Sequence, residues 1–138
     1  MKIVHQQLGI FEVSEDKVIS FPKGIIGYEN FSRFVILQDE NWHPFSWLIS
    51  LDNHNFGFPI IDPFILSKKH QTKFPFEIFK SLKPSNSHSD IYCVVTIKGN
   101  NGNVTINLKG PIFIDYQRKE GKQVILSPEE LPISFPLN

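Results

Sequence analysis

The sequence predicts an all-β, mainly antiparallel fold: a small β-barrel-like single domain, residues 1–138, with one short helix. Three observations lead there. There are 18 Ile, 13 Phe and 8 Val but no Ala; β-branched and aromatic side chains suit a pleated surface, whereas Ala is the best helix former. An AT-rich genome produces part of that skew, so the other two observations weigh more. Ten Pro and eight Gly interrupt the chain too often for long helices. Apolar residues alternate with polar ones where the pattern is clean: Val104, Ile106 and Leu108 against Thr105, Asn107 and Lys109, the period of a strand with one buried face. At 138 residues the chain has one domain's length, and a domain of this size buries roughly 70% of its unfolded surface without disulfide staples.

Taken in order, Lys2 to Gln7 and Ile10 to Val13 read as strands around Leu8-Gly9, and Lys17 to Phe21 as a third, ended by Pro22. Lys23 to Tyr28 is a loop whose two glycines accept positive φ. Phe34 to Leu37 is a continuous apolar run, the mark of a buried strand. Phe45 to Leu51 follows, then the turn Asp52-Asn53-His54-Asn55, then Gly57 to Ile61, closed by Asp62-Pro63. The stretch 67–89 is polar and Lys-rich. Within it Phe74, Ile78 and Leu82 recur every four residues, with Phe79 adjoining. That spacing predicts a helix of about two turns, with Pro75 in its first turn and Pro84 just past its end. Ile91 to Ile97 is a strand, and Lys98 to Asn103 a hairpin turn. Ile112 to Tyr116 and Lys122 to Leu126 make a further hairpin around Arg118-Lys119-Glu120-Gly121. The Pro-rich tail, 127–138, reads as extended or loose. The total is about nine or ten short strands, the pattern of an antiparallel barrel or sandwich.

Charge and cysteine usage exclude several classes of function. Basic and acidic side chains balance at 14 each, and only Arg33 and Arg118 are arginine, so a dedicated nucleic-acid binder is not expected. The single cysteine excludes an internal disulfide. No apolar run approaches the ~20 residues of a membrane span, and the start has no signal-peptide core; a soluble, cytoplasmic protein is expected. Segment 67–89 carries Lys68, Lys69, Lys73, Lys80 and Lys83 against Glu77 alone. It is either a solvated Lys-rich loop and helix face or a docking surface for an acidic partner.

Catalytic and metal motifs are missing. The five histidines show no metal-ligand spacing with Cys, Asp or Glu, and no nucleophile elbow or dinucleotide fingerprint occurs. Cys93 lies in the apolar run Ile91-Tyr92-Cys93-Val94-Val95, where a buried, inert thiol is expected. Asp52, His54 and Asp62 sit in turn-forming contexts, where Asp bonds local backbone. What remains is aromatic surface. Trp42, Phe45, Trp47, Phe56, Phe58 and Phe64 are interleaved with Pro44, Pro59 and Pro63. Phe45 and Trp47 share a strand face. One or two such rings at an edge would make a protein-binding hot spot. The residues therefore favour a binding module. The rivals are a small-ligand-binding β-barrel and, last, a hydrolase using Cys93 or the Asp52, His54 and Asp62 group.

Longer pieces carry a family resemblance. Ile19-Ser20-Phe21-Pro22-Lys23-Gly24-Ile25-Ile26-Gly27-Tyr28-Glu29, Phe45-Ser46-Trp47-Leu48-Ile49-Ser50-Leu51-Asp52 and Phe58-Pro59-Ile60-Ile61-Asp62-Pro63-Phe64 follow in order. Val95-Thr96-Ile97, Thr105-Ile106-Asn107-Leu108, Gly110-Pro111-Ile112 and Gly121-Lys122-Gln123-Val124-Ile125-Leu126 come after them. In order and spacing the chain resembles the flagellar assembly factor FliW family over nearly its whole length. The resemblance implies a β-barrel-like cytoplasmic protein without enzymatic activity, cofactor or small-molecule substrate. It implies two partners: CsrA, a dimeric RNA-binding repressor of flagellin translation, antagonised allosterically, and flagellin, which sequesters the protein. Direct contact with nucleic acid or membrane is not implied. Asp62, Pro63 and Phe64, with Asn107, Pro111, Lys122 and Gln123, match family motifs and become candidate partner-binding residues beside Phe45 and Trp47. The chain also departs from the pattern: it is neutral where the family is acidic, and Gly110 stands where alanine is more usual.

Overall fold

The computed structural model describes residues 1–68, 74–83, 85, 87–98, 102–127 and 131–137. Lys69, Lys73, Pro84, the Gly99–Asn101 portion of the expected turn, and Pro128 lie outside the described residues.

The N-terminus is an antiparallel ribbon of β1 (Lys2–His5) and β2 (Gly9–Glu12). His5 shapes its turn: the buried ring accepts the Gln7 and Leu8 N–H groups on Nδ1, each at 3.1 Å. The strand expected over Lys17 to Phe21 is shorter. Ser14-Glu15-Asp16 opens a 3-10 turn at Glu15–Lys17, with Lys17 N–H donating to the Ser14 carbonyl at 3.0 Å; polar residues of this kind favour such turns. Val18 is extended, and Ile19–Ser20 pair as strand β3.

Then come β4 (Arg33–Leu37), β5 (Phe45–Ser50) and β6 (Gly57–Ile61) as an antiparallel meander. A 3-10 segment, Pro63–Lys68, leads toward helix α1 (Phe76–Leu82). Of the helix residues, Phe79 is the one fully buried, with the Phe74 ring stacked 5.4 Å away. Pro75 stands at the N-cap, one position earlier than the first-turn site expected for it. Strands β7 (Ser89–Lys98), β8 (Asn103–Ile106), β9 (Ile112–Asp115) and β10 (Glu120–Gln123) follow. The tail, expected to be extended or loose, contributes the short strand β11 (Phe135–Pro136), paired with β8. An outermost position is where a sheet tolerates proline.

The pairings form a circuit: β7, β6, β5, β4, β3, β10, β9 and back to β7. All are antiparallel except β3 with β10, where Ser20 stands opposite Glu120 and donates its N–H to the Lys119 carbonyl at 2.8 Å. Strand β7 serves three partners: Ser89–Tyr92 pair with β9, Cys93 and Val94 with β6, and Val95–Lys98 with β8.

Both sheet faces are covered. Phe34, Leu48 and Ile60 join Phe21, Ile112 and Ile114 in one cluster. Their chain neighbours Val35 and Ile49 pack under the β1–β2 ribbon with Ile3 and Leu37. Ile61 packs with Phe79, Ile91, Val95, Leu108 and Phe135 in a third cluster, beside α1 and the tail. This is why the central strands read as continuous apolar runs instead of alternating ones. Phe21, Phe34, Leu48, Ile60, Ile112 and Ile114 are each under 2% exposed, so side chains fill that cluster densely. A small-ligand barrel needs an open apolar interior, and this arrangement does not favour it.

Candidate functional site

The end of β6 builds the first part of the site. Asp62 turns the chain: its Oδ1 accepts the Phe64 N–H at 2.9 Å, and its carbonyl accepts the Ile65 N–H at 3.3 Å. Pro63 and Leu66 then point inward, Phe64 is half-buried, and Ile65 is left exposed. The Phe64 ring meets Phe76 of α1 edge-on at 6.1 Å, and the Lys83 ammonium lies 4.8 Å from its centroid. Phe64 thus docks α1 as well as bordering the surface. Beside it opens a cleft of about 720 Å³, lined by Phe45, Asp62, Ile65, Asp39, Glu40 and Asp90 among others, with no Lys or Arg among the described residues of its walls. Tyr92 also lines it. Its hydroxyl lies 2.6 Å from that of Tyr116 and 3.4 Å from Asp90 Oδ2, and burial first, then these neighbours, push its ionisation far upward.

Trp47 shares a face of β5 with Phe45 but serves another purpose. It stands opposite Leu37 and Pro59 and packs with the cluster under the ribbon, 5.9 Å from the His5 ring. Phe45 packs with the cluster beside α1. The structure does not bring the two rings to one place.

Asn107, Pro111 and Gln123 do come together, around Gly110. Asn107 Oδ1 accepts the Lys109 and Gly110 N–H groups, both at 2.9 Å. Gln123 Nε2 donates to the Gly110 carbonyl at 3.0 Å, while its Oε1 accepts the Ile26 N–H at 3.1 Å. Pro111 is buried, and its carbonyl accepts the Val124 N–H at 3.0 Å. This bracket fastens the Ile25–Tyr28 loop to β10 and leaves Ile26, Tyr28 and Ile125 half-exposed on the surface. Lys122, next along β10, is exposed and lines a smaller cleft of about 390 Å³ with Lys23, Arg118 and Phe113.

The residues weighed for catalysis are engaged elsewhere. Cys93 is fully buried, and burial, reinforced by Asp62, pushes its thiol pKa far upward. Asp52 Oδ2 accepts the Ser32 and Arg33 N–H groups at 3.0 and 3.3 Å. His54 Nδ1 accepts the Val4 N–H at 3.2 Å. Among the described residues, no group of three or more His, Cys, Asp or Glu side chains could hold a metal ion, and no helix is long and apolar enough to cross a membrane.

Sequence reasoning missed Asp39, Glu40, Asp90 and Tyr92. They come from two distant segments, and no local pattern joins them to Asp62.

Comparison with known proteins agrees with this architecture. A family model described as FliW protein matches residues 2–137. The chain is 34% identical over 134 residues to the flagellar assembly factor FliW of Thermosipho africanus, covering 96% of this chain and 92% of that protein. Against the flagellar assembly factor FliW of Thermotoga maritima it is 32% identical over 134 residues, covering 96% and 90%. It is also similar to a crystal structure of the flagellar assembly factor FliW, with a TM-score of 0.78 and 28% identity over 99% of this chain and 96% of that one.

Proposed function

The chain belongs to the FliW family of flagellar assembly factors, and from that premise we propose that it is a cytoplasmic, non-enzymatic regulator with two protein partners. It binds the translational repressor CsrA away from the RNA-binding surface and antagonises it allosterically, so that flagellin messenger RNA is translated. Flagellin, once it accumulates, captures the protein and lets repression return.

The observation that carries this reading is the family match across residues 2–137. The surface is compatible with it. Phe45, Phe64 and Ile65 offer apolar contact beside an open cleft, a setting that takes an amphipathic helix. Neutral net charge and two arginines mean that the protein alone binds flagellin messenger RNA only in the non-specific range, roughly 10⁻⁴ to 10⁻⁶ M.

Competition between purified components tests the proposal. CsrA captured on this protein is expected to be displaced by flagellin in a dose-dependent way. A stable ternary complex would refute exclusion, and absence of any CsrA binding would refute the regulatory reading itself.

A further inference from the structure

The N-terminal ribbon has two outer edges, and the protein treats them differently. Met1 and Val13 exchange both backbone hydrogen bonds, at 2.7 and 2.8 Å. In an antiparallel pair bonded and non-bonded positions alternate, so Ile3 with Phe11 and His5 with Gly9 are bonded pairs. Lys2 with Glu12 and Val4 with Ile10 then turn their N–H and C=O groups outward. Along the β1 edge two outward N–H groups are capped by side chains of the β5–β6 turn: Val4 of β1 donates to His54 Nδ1 and Gln6, just past its end, to Asn55 Oδ1, both at 3.2 Å. On β2 nothing among the described residues pairs with the outward groups of Ile10 and Glu12.

We propose that the open edge of β2 accepts an extended, uncharged segment of a partner protein as an added antiparallel or parallel strand. This site is separate from the Phe64 surface and does not depend on the partners assigned above. Three observations define the occupant. The unpaired groups of Ile10 and Glu12 have the spacing of a strand edge, which only an extended backbone satisfies. Val4 and Ile10, directly opposite each other and 49% and 64% exposed, form an apolar row that an added strand would continue with an apolar side chain. A cleft of about 630 Å³ borders β2 through Phe11, Glu12 and Val13, with Ile36 and Leu37 also in its wall; its ionic lining, Glu12 and Asp16 with Lys17 and Lys119, sums to zero charge. Beyond the charge of Glu12, β2 has no proline or bulge, and none of the described residues pairs along its outer edge, so the devices with which proteins blunt an edge are not seen there.

The probe is a capped Thr-Val-Thr-Val-Thr peptide, with a counterpart N-methylated at alternate residues. Saturable binding is expected, with slowed amide exchange at Ile10 and Glu12. Glu12→Pro removes an outward N–H and none from the inner ladder, and Phe11 before it is extended as a residue preceding proline prefers. Either Glu12→Pro or N-methylation is expected to weaken binding by about tenfold. Ile10→Lys, which leaves the backbone intact, is expected to weaken it as well. Non-saturable binding, or binding unchanged in Glu12→Pro, would overturn the proposal. So would a dimer of the native chain that Glu12→Pro converts to monomer, with no peptide uptake, because the occupant would then be a second copy.

Discussion

Gly121 of β10 lies flat against the ring of Phe21: a Cβ built on it would stand 2.4 Å from Cζ and 2.6 Å from Cε1. Phe21 is itself fully buried and meets Phe34 edge-on at 5.0 Å, so the ring has no room to retreat. Gly121→Ala is therefore expected to destabilise the fold by about 1–3 kcal/mol, the cost of overpacking a filled core. A denaturant melt measures it; an unchanged midpoint would show that the Phe21 ring can move.

Phe64→Ala tests the partner surface. If one groove serves both partners, both complexes weaken together by about 1–2 kcal/mol. The ring is half-buried and holds Phe76 and Lys83, so the thermal melt of the mutant should fall by less than the roughly 3–5 kcal/mol of a fully buried Phe. Loss of one complex alone, in a folded mutant, would mean two distinct sites.

Gln123→Ala strips the bracket around Gly110. It leaves the Gly110 carbonyl and the Ile26 N–H without the partners they now have, which costs about 1–3 kcal/mol where the site is dry. Faster hydrogen exchange at Ile26, more than at the β4–β5 amides, is the expected signature. Uniform acceleration would point to global loosening instead.

Stability should fall on the acid side. Burial pushes the Asp52 carboxyl upward, but the Ser32 and Arg33 N–H groups and the Arg33 guanidinium outweigh it and hold the pKa below its ordinary 3.8. For Asp115 the Arg118 N–H is the leading influence; desolvation opposes it, and the Gln117 N–H and the His88 ring add to it, so that this carboxyl too is held low. A carboxyl whose pKa is lower folded than unfolded contributes stability above the unfolded value and loses it as pH falls through the folded one. The loss therefore belongs below about pH 4. Asp52→Asn should narrow the difference in melting temperature between neutral and acid solution; an unaltered difference would remove Asp52 as a source.

Much of this fold is legible in the residues. The alternation of Val104, Ile106 and Leu108 marks β8, and the four-residue spacing of Phe74, Ile78 and Leu82 finds α1. Phe34 to Leu37 reads as a buried strand because both its faces are covered. The 3-10 segment Pro63–Lys68 is not legible, since Phe64-Ile65-Leu66 has a strand's composition and only the Asp62 cap bends it. Nor is β11, where proline argues against a strand and the register with Ile106 overrides it. The candidate site divides in the same way. Asp62-Pro63-Phe64 and the Asn107 to Gln123 bracket are visible as motifs. The acidic wall of Asp39, Glu40 and Asp90 arises only when β5, β6 and β7 are laid side by side.

The parallel contact between Ser20 and Glu120 sets the order in which a newly made chain can mature. Until β10 has left the ribosome, β3 lacks the neighbour that closes the circuit, and Phe21 lacks the flat glycine it rests on. Closing a loop of about a hundred residues carries an entropic cost on the order of 4 kcal/mol. The local hairpins β4–β5 and β5–β6 can form well before that. A nascent chain stopped short of residue 120 would therefore present a partial sheet with an open flank, in need of protection from aggregation. Completion of the native sheet therefore waits on β10 and comes after the local hairpins have formed.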